Sequence, residues 1–60
     1  MQVGDRVEFT QKMQAFYLGW PYHQQGEVIE NPYRGVWIVR LDRSPLSRVA
    51  VTENSGIRVL

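Results

Sequence analysis

Sixty residues with a formal net charge of +1 and 43% hydrophobic content form at most one globular domain, residues 1–60, and not a disordered chain. Because the sequence has no cysteine and a single histidine, His23, it excludes disulfides, thiol nucleophiles and cysteine-containing zinc sites, and we expect no metal and no cofactor. No apolar run reaches the roughly 20 residues of a membrane span, and the N-terminus lacks the pattern of a signal peptide, so we expect a cytoplasmic protein outside the membrane. The net charge is too low for a protein that binds nucleic acid mainly through a broad basic field.

The N-terminal segment has the pattern of a strand preceded by a turn. Val3, Val7 and Phe9 share one parity, while polar and charged residues take the other. This alternation with a period of two is typical of a strand that has one face in water. Gly4 and Asp5 are turn-forming residues, so we predict a turn there, ahead of the first strand.

An aromatic segment follows, over residues 11–25, with neither clean strand alternation nor a full helical stripe. Gly19 and Pro21 argue against a long helix, so the sequence predicts a loop of about fifteen residues with at most one helical turn over residues 13–18. Loops of that length in compact domains are usually functional or disordered. This loop holds most of the aromatic residues of the chain, which argues against an idle linker.

Four further strands are predicted after this loop. Strand two lies near residues 26–30 and ends at turn formers in residues 31–35. In strand three, Trp37, Val39 and Leu41 fall on a face that we expect in the core, whereas Val36 and Ile38 fall on a face that we expect to be partly covered. Residues 42–47 are predicted as a loop, 48–52 as strand four, 53–56 as a tight turn and 57–60 as strand five.

Four segments resemble the SH3-like barrel superfamily: Val-Gly-Asp-Arg-Val at residues 3–7, Gly-Glu-Val at 26–28, Trp-Ile-Val-Arg-Leu-Asp at 37–42 and Ser-Gly-Ile-Arg-Val-Leu at 55–60. That superfamily includes KOW-type ribosomal and elongation-factor modules, photosystem I subunit IV, the variable chain of ferredoxin-thioredoxin reductase, and type II dihydrofolate reductases. The resemblance covers nearly the whole chain except the aromatic loop. It implies an all-β, five-stranded SH3-like barrel whose long first loop lies beside a peptide- or nucleotide-binding surface.

Two members of that superfamily imply different functions. Residues 37–42 are similar to a strand of photosystem I subunit IV, a docking protein without a cofactor of its own. Residues 4–7 are similar to the opening of type II dihydrofolate reductases, which bind folate and NADPH in the pore of a tetramer. The reductases carry Gln-Ile-Tyr on the fourth strand, whereas this chain has Val-Ala-Val at residues 49–51, without the amide and phenol that hold both ligands. An oligomeric reductase is therefore the third hypothesis, and we expect no catalytic residues.

The aromatic loop is the first candidate for a binding site, through Phe16, Tyr17, Trp20, Tyr22 and His23. Aromatic side chains that carry a polar group suit a recognition surface that is partly exposed to solvent. A second interpretation stays open, in which these rings fold back to cover a core too small to close itself. No nucleophile or carboxylate near His23 in the sequence orients it as a general base, so we interpret it as an exposed loop residue.

Four residues in and before strand three extend the candidate surface: Tyr33, Arg34, Val36 and Ile38. The arginines around strands three and four could contact a single nucleic-acid strand, but Glu27, Glu30 and Asp42 lie among them, so paired surface charges are the competing interpretation. The sequence therefore predicts a non-catalytic binding or assembly module with a protein partner. Self-association is a subsidiary hypothesis, and binding of RNA or single-stranded nucleic acid is the alternative.

Overall fold

The computed structural model describes residues 1–10, 21, 23–52 and 56–60. These residues form five strands and no helix: β1 (Arg6–Phe9), β2 (Gln25–Tyr33), β3 (Val36–Leu41), β4 (Arg48–Thr52) and β5 (Ile57–Val59). All neighbouring strands pair antiparallel in one sheet with the order β4-β3-β2-β1-β5. The predictions of an all-β chain and of five strands are confirmed, and the described residues contain no helix that could cross a membrane.

A hydrogen-bonded turn precedes β1, as the sequence predicts. The Asp5 carboxylate accepts a hydrogen bond from the Gln2 amide at 2.9 Å, and the Asp5 amide donates to the Gln2 carbonyl at 3.1 Å. Val3 lies in this turn and is 55% exposed although it shares the parity of the buried Val7 and Phe9. The alternation therefore assigns a face only within the paired strand.

β2 is longer than the sequence predicts, because it continues through Asn31 and Pro32 to Tyr33. The pairing of β2 with β3 contains two register shifts, between Val28 and Glu30 and between Glu30 and Tyr33. Irregular pairing accommodates Pro32, which has no backbone N–H to donate. The Asn31 side-chain amide donates to the carbonyls of Tyr33 and Val36, at 2.7 and 2.6 Å, and so joins the two strands where regular pairing fails.

The connection between β2 and β3 is correspondingly tighter than predicted. It turns at Arg34 and Gly35 alone, and not over the whole of residues 31–35. Gly35 has a φ of 80°, a left-handed conformation that glycine adopts without the penalty that a Cβ brings.

One face of the sheet forms the hydrophobic core. The predicted core residues of β3 are buried, with exposures of 9% for Trp37, 0% for Val39 and 7% for Leu41. The other buried members come from three further strands: Val7, Phe9, Val28 and Val51. β3 and β2 each have a neighbouring strand on both sides, and side chains of those strands help to bury theirs. The prediction that this face of β3 lies in the core is confirmed.

Gly26 allows β2 to lie close to β3. A Cβ atom at this position would lie 2.5 Å from the Arg40 carbonyl oxygen and 2.7 Å from a Val39 methyl carbon. Gly26 pairs with Val7 of β1 on one side and Leu41 of β3 on the other. A side chain here would force the central strands apart, so the strand-opening glycine in the sequence has a packing role.

Candidate functional site

The outer face of the sheet, opposite the core, divides into two halves. A charged half comprises Arg6, Glu8, Glu27, Arg40, Arg48 and Arg58. The register places Arg6 beside Glu27, Glu27 beside Arg40, and Arg40 beside Arg48, which makes one row across four strands. The charges of this row therefore alternate in sign from Arg6 to Arg40, and the row ends with Arg40 beside Arg48, two like charges.

Ion pairs connect most of this charged half. The Arg40 guanidinium donates to Glu27 Oε1 at 3.0 Å, and Arg58 forms an ion pair with Glu8. Arg48 pairs in the sheet with Arg40, a like charge, and it has no ion-pair partner among the described residues. The interpretation of the charges as paired surface groups is confirmed at Arg40, and not at Arg48.

The Arg6 side chain binds Asp42, the first residue after β3, and not its cross-strand neighbour Glu27. Its Nη1 donates to Oδ1 of Asp42 at 3.0 Å, and its Nη2 forms a second hydrogen bond, to Oδ2. This hydrogen-bonded guanidinium lowers the pKa of Asp42 below its ordinary value of 3.8, and the same contact raises the pKa of Arg6. The pair joins β1 to the end of β3 at the surface of the sheet.

An apolar half adjoins the charged half and comprises Tyr33, Val36, Ile38 and Ala50. Ile38 pairs with Ala50 of β4 and with Glu30 of β2, and Val36 pairs with Thr52 of β4 and with Tyr33 of β2, so the polar residues Glu30 and Thr52 border this half. Tyr33 is 74% exposed, Ala50 is exposed, and Val36 and Ile38 are half-buried. The prediction that Val36 and Ile38 are only partly covered is therefore confirmed.

The structure brings part of the predicted binding surface together. Tyr33, Val36 and Ile38 form the apolar half, and Arg34 lies in the turn next to them. His23 lies ahead of the other end of β2, so the whole strand separates it from Tyr33, up to about 26 Å of extended chain at about 3.3 Å per residue. Phe16, Tyr17, Trp20 and Tyr22 lie outside the described residues.

His23 belongs to a different feature, a cleft of about 440 Å³ between the start of β2 and the end of β3. The described side chains that line it are His23, Gln24, Gln25, Asp42 and Arg43. Sequence reasoning did not assign this cleft, and it also missed Ala50 in the apolar half. Both depend on the strand register, which brings residue 25 beside Asp42 and residue 50 beside Ile38.

The described part of the chain contains no group of three or more histidine and acidic side chains placed to hold a metal ion. No protein-family model matches the chain, and no curated protein and no solved structure matches it either. The resemblance to SH3-like barrels therefore stays a sequence-based hypothesis.

Proposed function

We propose that this chain is a non-catalytic binding module, an SH3-like barrel that holds a protein partner. The observation that carries the proposal is the apolar half of the outer face, where Val36 and Ile38 are neighbours along β3, Tyr33 pairs with Val36, and Ala50 pairs with Ile38. We include the aromatic loop predicted from the sequence, with Trp20, in the proposed surface.

The strand order supports the barrel. β1 pairs with β2 on one side and β5 on the other, and β2 pairs with β3 along its opposite edge. β2 pairs with β1 through residues 25–27 and with β3 from Gly26 to Tyr33, so the second half of β2 extends beyond β1. Register shifts in the second half of β2 increase its local bend and twist, which is how a short sheet curls toward closure.

Charge and exposure favour a protein over nucleic acid as the partner. The net charge is +1, and three of the arginines are bound by acidic side chains: Arg6, Arg40 and Arg58. Protein interfaces have aromatic and aliphatic side chains at their centre with charged groups around them. The apolar half beside the charged half has that composition.

The substitution Ile38→Lys tests the proposal, with Arg40→Gln as the matched control. Both positions are on the same face of β3, but only Ile38 belongs to the apolar half. Affinity capture from cells that contain the protein would identify the partner, which is then purified and titrated with each variant. Burying one aliphatic side chain contributes about 1.5 kcal/mol, so Ile38→Lys should weaken binding about tenfold while Arg40→Gln changes it little.

Equal affinity of the wild type and Ile38→Lys for the captured protein would contradict the proposal. Trp20→Ala tests the loop separately, because loss of binding with the fold retained favours a recognition loop, whereas loss of the fold favours a covering loop. Sedimentation equilibrium of the purified wild type shows whether the captured partner is a second copy of the chain.

Nucleic-acid binding is the second candidate, and it rests on the arginines that have no acidic partner among the described residues. These are Arg34 in the β2–β3 turn, Arg43 after β3 and Arg48 at the start of β4. Phosphate contacts release counterions, so this function requires an affinity for single-stranded RNA that falls steeply as the salt concentration rises. A flat salt response would exclude it.

A further inference from the structure

Backbone hydrogen bonds hold the chain in place around the cleft between the start of β2 and the end of β3. The Asp42 amide donates to the Gln25 carbonyl at 3.0 Å, and the Phe9 amide donates to the Gln24 carbonyl at 2.9 Å. The His23 amide returns a hydrogen bond to the Phe9 carbonyl at 2.9 Å. Both walls of the cleft are thus hydrogen-bonded to the sheet.

His23 adopts a left-handed backbone conformation with a φ of 68°, and it is the non-glycine residue with a positive φ in the described part of the chain. This conformation is uncommon outside glycine, although histidine adopts it more readily than most residues. The adjoining Gln24 amide donates to the Pro21 carbonyl at 3.0 Å, which closes the turn. Strained backbone of this kind clusters at binding sites, where the surrounding structure holds it in place.

An acidic residue, Asp42, and an arginine, Arg43, both line the cleft, and of these two only Asp42 has an ion-pair partner among the described residues. Both carboxylate oxygens of Asp42 accept hydrogen bonds from Arg6, so this acid is already neutralised by a cation from β1. Arg43, the next residue, is exposed and has no ion-pair partner within residues 1–10, 21, 23–52 and 56–60. Its guanidinium presents donors in a planar fork that matches the geometry of a carboxylate.

Two residues with amide side chains, Gln24 and Gln25, line the same cleft as Arg43. Gln24 is half-buried and Gln25 is exposed, and among described residues their hydrogen bonds run through the backbone, which leaves the side-chain amides available to a ligand. Each amide supplies two N–H donors and a carbonyl acceptor. The cleft therefore combines one unpaired cation with neutral donors on a hydrogen-bonded frame.

We propose that this cleft is a second binding site, separate from the apolar half, that takes a carboxylate side chain of an acidic peptide segment. A single free guanidinium with two amides matches one singly charged carboxylate and the peptide groups beside it. A nucleic-acid strand requires cations along several successive phosphates, and the other unpaired arginines lie in other elements, Arg34 in the β2–β3 turn and Arg48 in β4. The site does not depend on the function proposed for the apolar half.

Nuclear magnetic resonance of the ¹⁵N-labelled full chain tests this site directly. The probe is an acetylated and amidated hexapeptide of alternating glutamate and glycine, and the matched control peptide has glutamine in place of glutamate. Backbone amides of residues 23–25 and 42–43 should shift with the glutamate peptide and stay unchanged with the glutamine peptide. Hexathymidylate serves as the nucleic-acid arm.

Arg43→Gln should weaken binding of the glutamate peptide about tenfold or more, the loss expected for one charge-assisted contact. Arg48→Gln is the matched control, because it removes an unpaired arginine outside the cleft and should bind as the wild type does. Gln25→Ala supplies a second cleft variant, with a smaller loss. Ile38→Lys should leave this binding intact, so that failure here is distinguishable from failure of the proposed function.

Three results would overturn the inference. They are an absence of shifts at the cleft with the glutamate peptide, equal binding by the wild type and Arg43→Gln, and shifts at these amides with hexathymidylate that the glutamate peptide does not produce. The last result would assign the cleft to phosphate. Since Arg43 is exposed and has no described ion-pair partner, the circular dichroism of Arg43→Gln should match that of the wild type.

Discussion

A methyl group at Gly26 would test the close approach of the central strands. The Cβ of Gly26→Ala would lie 2.5 Å from the Arg40 carbonyl oxygen, about 0.9 Å short of the 3.4 Å at which ordinary contact begins. The obstacle is backbone in the middle of the sheet, and a Val39 methyl carbon blocks a second direction at 2.7 Å. The strands must therefore separate or bend, since no flexible side chain can move aside.

The expected loss of stability follows from two opposing contributions. Overpacking in a core costs about 1–3 kcal/mol, and a backbone obstacle places Gly26→Ala toward the upper end of that range. Alanine restricts the unfolded chain and returns about 0.4–1 kcal/mol. We expect a net loss of about 2 kcal/mol, which lowers the melting temperature of a domain this small by roughly 8–16 °C.

Urea unfolding followed by circular dichroism measures this loss, provided that the slope against urea is the same for each variant. Gly35→Ala is the matched control, because its Cβ would meet nothing within 4 Å but would carry a left-handed φ of 80°. That control should cost about 1 kcal/mol from backbone strain alone. If Gly26→Ala costs no more than Gly35→Ala, the close approach of β2 and β3 is wrong.

Two further predictions concern the indole N–H of Trp37 and the pairing of Asp42 with Arg6. The buried indole N–H of Trp37 has no hydrogen-bond acceptor among the described residues. Because Trp37→Phe removes an unsatisfied donor, it should lower the free energy of unfolding by less than about 1 kcal/mol, against about 3–5 kcal/mol for Trp37→Ala in the same urea assay. Similar losses for both variants would show that the N–H is satisfied in solution. Because the pKa of Asp42 is lowered in the folded state, its pairing with Arg6 contributes stability above the ordinary carboxyl pKa, and that contribution is lost as the pH falls through the lowered value. Arg6→Gln should raise the pKa of Asp42 toward 3.8 and reduce the loss of unfolding free energy at acid pH. An NMR titration of the Asp42 carboxyl group measures this pKa, and an unchanged value would refute the prediction.

Much of the fold follows from local pattern. Alternation along β3 predicted that Trp37 and Val39 are buried and that Val36 and Ile38 are half-covered, since a strand sends successive side chains to opposite faces whatever its neighbours are. The end of β2 did not follow from pattern. Asn31 and Pro32 have turn-forming propensity, but the Asn31 side chain donates to the Tyr33 carbonyl of its own strand and to the Val36 carbonyl of β3, which links the two strands.

The candidate site was predictable only in part, for the same reason. Tyr33, Val36 and Ile38 are close in sequence and could be grouped from it, whereas Ala50 joins them only through the pairing of β3 with β4. His23 was grouped with them by its aromatic neighbours in the sequence, yet β2 carries the chain away from it before Tyr33 is reached. Proximity in sequence is a weak guide to proximity in space once a long strand intervenes.

The sequence by itself determined the strand content and which side chains of β1 and β3 face the core, because both depend on a repeat of two residues. Only the tertiary structure decided which charges meet, since Arg6 binds Asp42 across 36 positions and Arg58 binds Glu8 across 50. It also decided that Gln25 and Asp42 meet at one cleft. Strand order and register are set by long-range pairing, and alternation specifies the face that a residue occupies without specifying its neighbour.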